Sequence, residues 1–137
     1  MIYFFDGTES GFLTAFLQAF HDENALLSSR KTQLPLGQEP IFVQTDETRA
    51  ERARARLKEL DRGCLRELSL LLRCGEEDGE QVAFLYLRAI AKAGKAVRSR
   101  LAEPTVFAAT EKIRRVSYEI HRFHGFIRFM ETESGAL

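Results

Sequence analysis

The sequence predicts an α+β domain dominated by about five helices, with a small sheet from short strands near 2–5, 41–43 and 125–130. Three observations predict it. Apolar residues recur at helical spacing over most of the chain. Three short β-prone runs interrupt that pattern. The length of 137 residues, 45% hydrophobic and 29% charged, suffices for one packed core rather than two. With 20 Lys+Arg against 20 Asp+Glu, the composition argues against wholesale disorder and against a globally basic nucleic-acid coat, while permitting a local patch.

Ile2 to Phe5 is the first strand, stopped by the turn pair Asp6-Gly7. Ser10 is placed to cap a helix in which Phe12, Leu13, Phe16, Leu17 and Phe20 form one apolar face. Residues 24–40, with Pro35, Gly37 and Pro40, read as a loop leading to a second strand, Ile41-Phe42-Val43. Thr45-Asp46 caps a helix to about Leu60, and its sparse apolar positions leave the Arg49, Arg52, Arg54, Arg56, Lys58 run as a solvated face. Cys64, Leu65, Leu68, Leu71 and Leu72 form the next buried face. Asp78 and Gln81 form a capping box before a helix marked by Val82, Leu85, Tyr86, Ala89 and Ile90. Pro104 suits the first turn of a last helix, to about 122, with Val106, Ala109, Ile113, Val116 and Ile120 as its core stripe. After Phe123 the period changes from helical to alternating, so 125–130 reads as the third strand. An acidic, Gly-containing turn then follows at Glu133-Ser134-Gly135. Such a turn ordinarily introduces a partner strand, so the expectation is a single domain over 1–137 that lacks its C-terminal strand and a helical segment.

Cys64 and Cys74 have no metal-ligand spacing and lie in a Leu-rich stretch, where free cysteines pack as small apolar residues. No apolar run approaches the roughly 20 residues of a membrane span, and Met1 to Asp6 lack the basic segment of a signal peptide. The expected location is cytoplasmic, with no membrane partner. No Gly-x-Ser-x-Gly elbow, Walker loop or Rossmann fingerprint occurs, and no cofactor is expected.

The zero net charge hides a gradient. Residues 1–48 carry −5, residues 49–87 balance, residues 88–128 carry +7 and the last nine carry −2. A +7 segment is the footprint of a phosphate-contacting surface. Its bland alternative is a set of solvated helix faces, and Arg115, Glu119 and Arg122 fit that pattern as neighbouring pairs. Arg114, Tyr118 and His121 fall at i, i+4 and i+7 with no acid within their stripe; a cation, an aromatic hydrogen-bonder and an imidazole on one face can hold phosphate and stack a base. His121 and His124 lack a third ligand, and with the helix ending between them they form no metal site. On the expected strand, Phe126 and Arg128 share one face, Ile127 and Phe129 the other.

Tyr3-Phe4-Phe5-Asp6-Gly7 with Gly11-Phe12-Leu13, Val43-x-Thr45-Asp46, and Glu119-Ile120-His121-Arg122-Phe123-His124-Gly125-Phe126-Ile127-Arg128-Phe129 together resemble a bacterial family of probable DNA metabolism proteins. The resemblance runs in order along nearly the whole chain. It implies a role beside a radical SAM protein in DNA modification or repair, or fused to a uracil-DNA-glycosylase-type domain. It departs at His124, where members often carry a basic residue, so any positive charge there depends on pH. Members also continue past the end of this sequence, and the family supplies no catalytic residues to carry over.

The leading expectation is a nucleic-acid-binding accessory domain that presents DNA to a partner enzyme. Arg114, Arg115, Arg122 and Arg128 contact phosphate in this reading, with Tyr118, His121 and Phe126 stacking or hydrogen bonding and His124 as a pH-dependent cation. The alternatives are a DNA-repair hydrolase with His121 as acid/base, and a protein-interaction module using the Leu-rich 57–74 region or an open sheet edge.

Overall fold

The computed structural model describes the backbone of residues 1–29 and 39–135, and their side chains as far as Ile120 together with Arg122. Strand β1 (Ile2–Phe4), helix α1 (Glu9–Ala19), strands β2 (Leu26–Ser28) and β3 (Ile41–Phe42), and helices α2 (Glu47–Leu60), α3 (Cys64–Leu72) and α4 (Gly79–Ala93) follow in order. A 3-10 helix (Gly94–Ser99) then leads into α5 (Pro104–Gly135). The described chain is therefore α+β and predominantly helical.

The sheet has the order β2-β1-β3, with both neighbours parallel to β1. Ile2 pairs with Leu26 and Tyr3 with both Leu27 and Ile41, so β1 is the central strand. Ile2 and Tyr3, which point to opposite faces, are both buried, as befits a parallel strand covered on two sides. The outer edge of β2 is closed by a side chain rather than a strand. Gln81 of α4 accepts from the Leu27 N–H at 2.9 Å and donates to the Ala25 carbonyl at 2.9 Å. Glu80 accepts from the Ser29 N–H at 3.1 Å and from its hydroxyl. An amide side chain thus reproduces the donor–acceptor pair of a missing neighbour and blunts the edge.

Two expectations change here. Residues 24–40 were expected as loop, yet 26–28 form a strand; three residues are too few to show alternation, and pairing with β1 supplies the order that local sequence does not. The expected strand at 125–130 does not form, because α5 continues as helix through Gly135. Extending an existing helix fixes one residue per added hydrogen bond, whereas a new strand needs an open sheet edge. One interior glycine, at roughly 1 kcal/mol relative to alanine, is insufficient to stop it.

Asp46 caps α2, accepting from the Thr48 and Arg49 N–H groups at 3.0 and 3.2 Å. Helix α1 is capped by Thr8 rather than Ser10, whose hydroxyl instead donates to Glu47 at 3.0 Å. Asp6 ties these helix starts together, accepting from the Thr8 N–H at 2.9 Å and the Thr45 hydroxyl at 2.8 Å. These hydrogen bonds, the Thr8 hydroxyl's foremost, hold its carboxyl below the usual carboxylate range. Gly11 makes this approach possible: a Cβ there would lie 2.0 Å from Asp6 Oδ1. The core joins Phe5, Phe12, Phe16 and Phe84, with edge-to-face pairs Phe5–Phe12 and Phe16–Phe84 at 5.7 and 5.9 Å. Cys64 is buried and burial pushes its thiol up to about 11, which keeps it an unreactive packing residue.

The helical layers are joined by an ionic cluster. Asp61, immediately after α2, accepts from Arg98 Nε at 2.6 Å and Nη2 at 2.8 Å, while Glu67 on α3 accepts from Arg98 and from Tyr86 of α4. The Asp61 side chain is 5% exposed and that of Arg98 41%. The Arg98 hydrogen bond holds the Asp61 carboxyl below its ordinary range against the opposing effect of burial.

Replacing Gln81 with Ala is expected to cost about 1–3 kcal/mol, because the Leu27 N–H and Ala25 carbonyl lose their partners. Urea unfolding measures that loss, and amide hydrogen exchange should show Leu27 losing protection ahead of Tyr3. Arg98→Met is expected to cost about 2–3 kcal/mol, less than a fully buried pair since the guanidinium is partly solvated. The Asp61 contribution is present above its unfolded pKa of about 3.9 and lost as pH falls through the lower native value. Without Arg98 that native value rises, so acid unfolding followed by circular dichroism should move to higher pH. An unmoved acid limb would show that Arg98 does not hold Asp61 ionised.

Candidate nucleic-acid interface

Helix α5 is held to the body by one face. Val106, Ala109 and Val116 are buried, and Lys112 between them is 5% exposed at its side chain. A lysine on an apolar stripe needs anions, and the acidic turn supplies them. Lys112 donates to Glu76 and, at 2.8 Å, to Asp78. Burial alone would lower the ammonium's pKa; the hydrogen bonds to Asp78 and Glu76 outweigh it, and the net shift is upward. The Lys112 hydrogen bond likewise holds Asp78 below the usual range. Asp78 consequently makes no side-chain cap on α4, and Gln81 is engaged at β2, so the expected capping box gives way to two tertiary contacts. The acidic turn is therefore a docking element for α5 rather than a solvated loop.

The opposite face of α5 carries the predicted cations. Arg114, Arg115, Tyr118, Glu119 and Arg122 line a shallow concavity of about 410 Å³. Tyr118 is 66% exposed, and Arg122 is exposed with no ion pair among the described residues. From position 114 to 122 the helix rises about 12 Å, the axial advance of three to four nucleotides at roughly 3.4 Å each. The cations are less free than their spacing suggests. Arg114 lies 3.4 Å from Glu111, an acid one turn earlier, outside the stripe the sequence singles out. Arg115 reaches Glu76 at 2.9 Å instead of pairing with Glu119. Arg122 is thus the most available of the three.

The remaining predicted groups, His121, His124, Phe126 and Arg128, sit on the helical backbone of α5, and their side chains lie outside the described residues. The helix changes how their positions relate. Positions 126 and 128 are about 200° apart on a helix rather than on one strand face. Positions 121 and 128 instead continue the heptad spacing that begins at 114. The helix also runs through both histidines instead of ending between them. Among the described residues no group of three His, Cys, Asp or Glu is placed to hold a metal. The Arg-rich face of α2 is mostly exposed as expected, except that Arg54 turns inward to Glu9 at 3.3 Å and to the Ser10 hydroxyl at 2.9 Å.

A second concavity, of about 350 Å³, is lined by Arg62, Arg66, Lys95 and Arg98 together with Gly63, Asp61 and Glu67. Sequence reading misses it because its cations come from two segments about 30 residues apart, with no shared periodicity. Only the packing of the 3-10 helix against the start of α3 joins them.

The Lys112 site yields an asymmetric expectation. Glu76→Gln with Asp78→Asn leaves a charged lysine buried without an anion, whereas Lys112→Met leaves two carboxylates that are partly solvated already. The double variant should therefore lose more stability, about 2–4 kcal/mol against about 1–2 for Lys112→Met. Equal losses in urea unfolding would show that the ammonium is not the costly group.

Among the described residues no helix is long and apolar enough to cross a membrane. No curated protein matches the chain, and no solved structure does. Residues 77–137, from the acidic turn through α4 and the length of α5, match the model of a family described as a domain of unknown function, DUF4130.

Proposed function

We propose that this domain is a nucleic-acid-binding accessory module of cytoplasmic DNA metabolism or repair, holding DNA for a partner enzyme such as a radical SAM protein or a DNA glycosylase. The observation that carries the reading is the exposed face of α5, where Arg114, Arg115 and Arg122 surround an exposed Tyr118 in one shallow concavity. Guanidinium groups give phosphate contacts without sequence preference, and a solvent-facing phenol ring offers a stacking platform. The family resemblance implies the DNA context and the enzyme partner. His121 as acid/base in a DNA-repair hydrolase is the catalytic alternative within the same face.

A protein-interaction role is the second reading, favoured by a different observation. A groove of about 230 Å³ between α1, α2 and α4 is lined largely by Phe16, Leu17, Phe20, Leu57, Leu60 and Ala91, and Leu17 is 38% exposed there. An apolar groove suits a protein surface rather than a phosphate backbone.

Fluorescence anisotropy with labelled single- and double-stranded DNA, over about 50–200 mM salt, separates these readings. Binding should weaken steeply with salt. Arg122→Ala combined with Arg128→Ala should weaken it further and lower the salt slope by about one to two. No binding at the lowest salt, or a slope unchanged in the double variant, would remove α5 as the DNA surface. Base release or strand cleavage abolished by His121→Ala would replace the accessory role with a catalytic one.

A further inference from the structure

We infer that the concavity between the start of α3 and the 3-10 helix is a binding site for a phosphoryl group, separate from the α5 face. Its distinguishing feature is the division of labour among its cations. Arg98 is committed: Asp61 and Glu67 take its hydrogen bonds, and the three groups together carry a net charge of −1. Arg62, Arg66 and Lys95 are not committed. Among the described residues none of them makes a hydrogen bond or an ion pair, although Lys95 acts through space to lower the Asp61 pKa. Adding their three charges gives the concavity a net charge of +2. Elsewhere in the described chain most basic side chains near an acid are paired with it, as Arg54, Arg56, Arg114 and Lys112 are.

Three uncommitted cations gathered around one hollow repel each other, and an anion relieves that repulsion. The carboxylates in the wall do not serve this purpose. Arg98 holds both of them, and their side chains are only 5% and 12% exposed. The hollow also has room beside Arg98 because residue 63, in its lining, is glycine. A Cβ there would lie 3.0 Å from Arg98 Nη2, so an added side chain would push the guanidinium outward into the space. At the start of α3 the Gly63 N–H is taken by the Asp61 carboxylate at 2.9 Å, so the free positive charge of the hollow comes from its side chains. A compact, multiply charged anion fits this set. A carboxylate, with a single charge and two oxygens in a plane, leaves it under-neutralised. A phosphoryl group, with three oxygens and up to two charges, matches three convergent donors.

Inorganic pyrophosphate is the probe, followed by amide NMR shifts on the full chain. Saturable shifts are expected at residues 62–67 and 95–98. The triple variant Arg62→Ala, Arg66→Ala, Lys95→Ala should weaken the apparent affinity by at least about tenfold. The three side chains are exposed, so folding should survive and an unchanged far-UV spectrum verifies it. Arg114→Ala with Arg122→Ala should leave the pyrophosphate shifts at these residues intact. Shifts that fail to saturate, or that persist in the triple variant, would overturn the assignment. A short single-stranded oligonucleotide distinguishes the source of the phosphate. If it displaces pyrophosphate from the site, the ligand is a strand backbone; if it binds without displacing it, the ligand is a free phosphate compound.

Discussion

Asp61 is the constraint on which the helical layers depend. It follows α2 directly, its side chain is 5% exposed, and the two hydrogen bonds from Arg98 are the foremost cause that holds its carboxyl below the ordinary range. Glu67 on α3 accepts from Arg98, and Tyr86 on α4 donates to Glu67, so one linked cluster ties the end of α2, α3, α4 and the 3-10 helix together. Burying a carboxylate costs several kcal/mol unless it is paired, which makes alternative packings of these helices expensive. The cluster therefore fixes the direction in which the chain leaves α4 and begins α5. Both basic surfaces follow from that direction, since one lies beside Arg98 and the other along α5.

The two ends of α4 show the same logic on a smaller scale. At its start, Glu80 and Gln81 close the edge of β2, while Glu76 and Asp78 in the preceding turn hold Lys112. A five-residue acidic stretch is thus divided between the sheet on one side and the long helix on the other. This joins the small sheet to α5 through the start of α4. It also costs the face of α5 some of its charge, because Glu76 engages Arg115 as well as Lys112. Positive surface and structural attachment draw on the same acids, and Arg122, farther along, is left exposed.

The polar groups at the carboxyl ends of the parallel strands are absorbed in the same way. In open parallel sheets this is the usual place for a ligand. Here Asp6, Thr8, Thr45 and Asp46 spend their hydrogen bonds on one another and on helix starts. They anchor α1 and α2.

Much of the architecture was legible in the sequence, because helical periodicity and capping act locally. The apolar faces of Phe12–Phe16 and Leu68–Leu71, the Asp46 cap and the burial of Cys64 all follow from near neighbours. The cations of α5 were legible too, since a charge gradient survives folding. What sequence could not show are the features made by residues far apart. Strand β2 exists because β1 and Gln81 flank it, not because Leu26–Ser28 prefers to be extended. The alternation at 125–130 is equally compatible with helix over so short a run, and continuation of α5 decided between them. Lys112, which by composition is one more surface cation, becomes a buried anchor only once the acidic turn is folded against it. Lys95 comes beside Arg62 and Arg66 only when the 3-10 helix packs near the start of α3, where Arg98 pairs with Asp61. Local pattern determined which elements form; long-range pairing of charge and hydrogen bonds decided which surfaces they create.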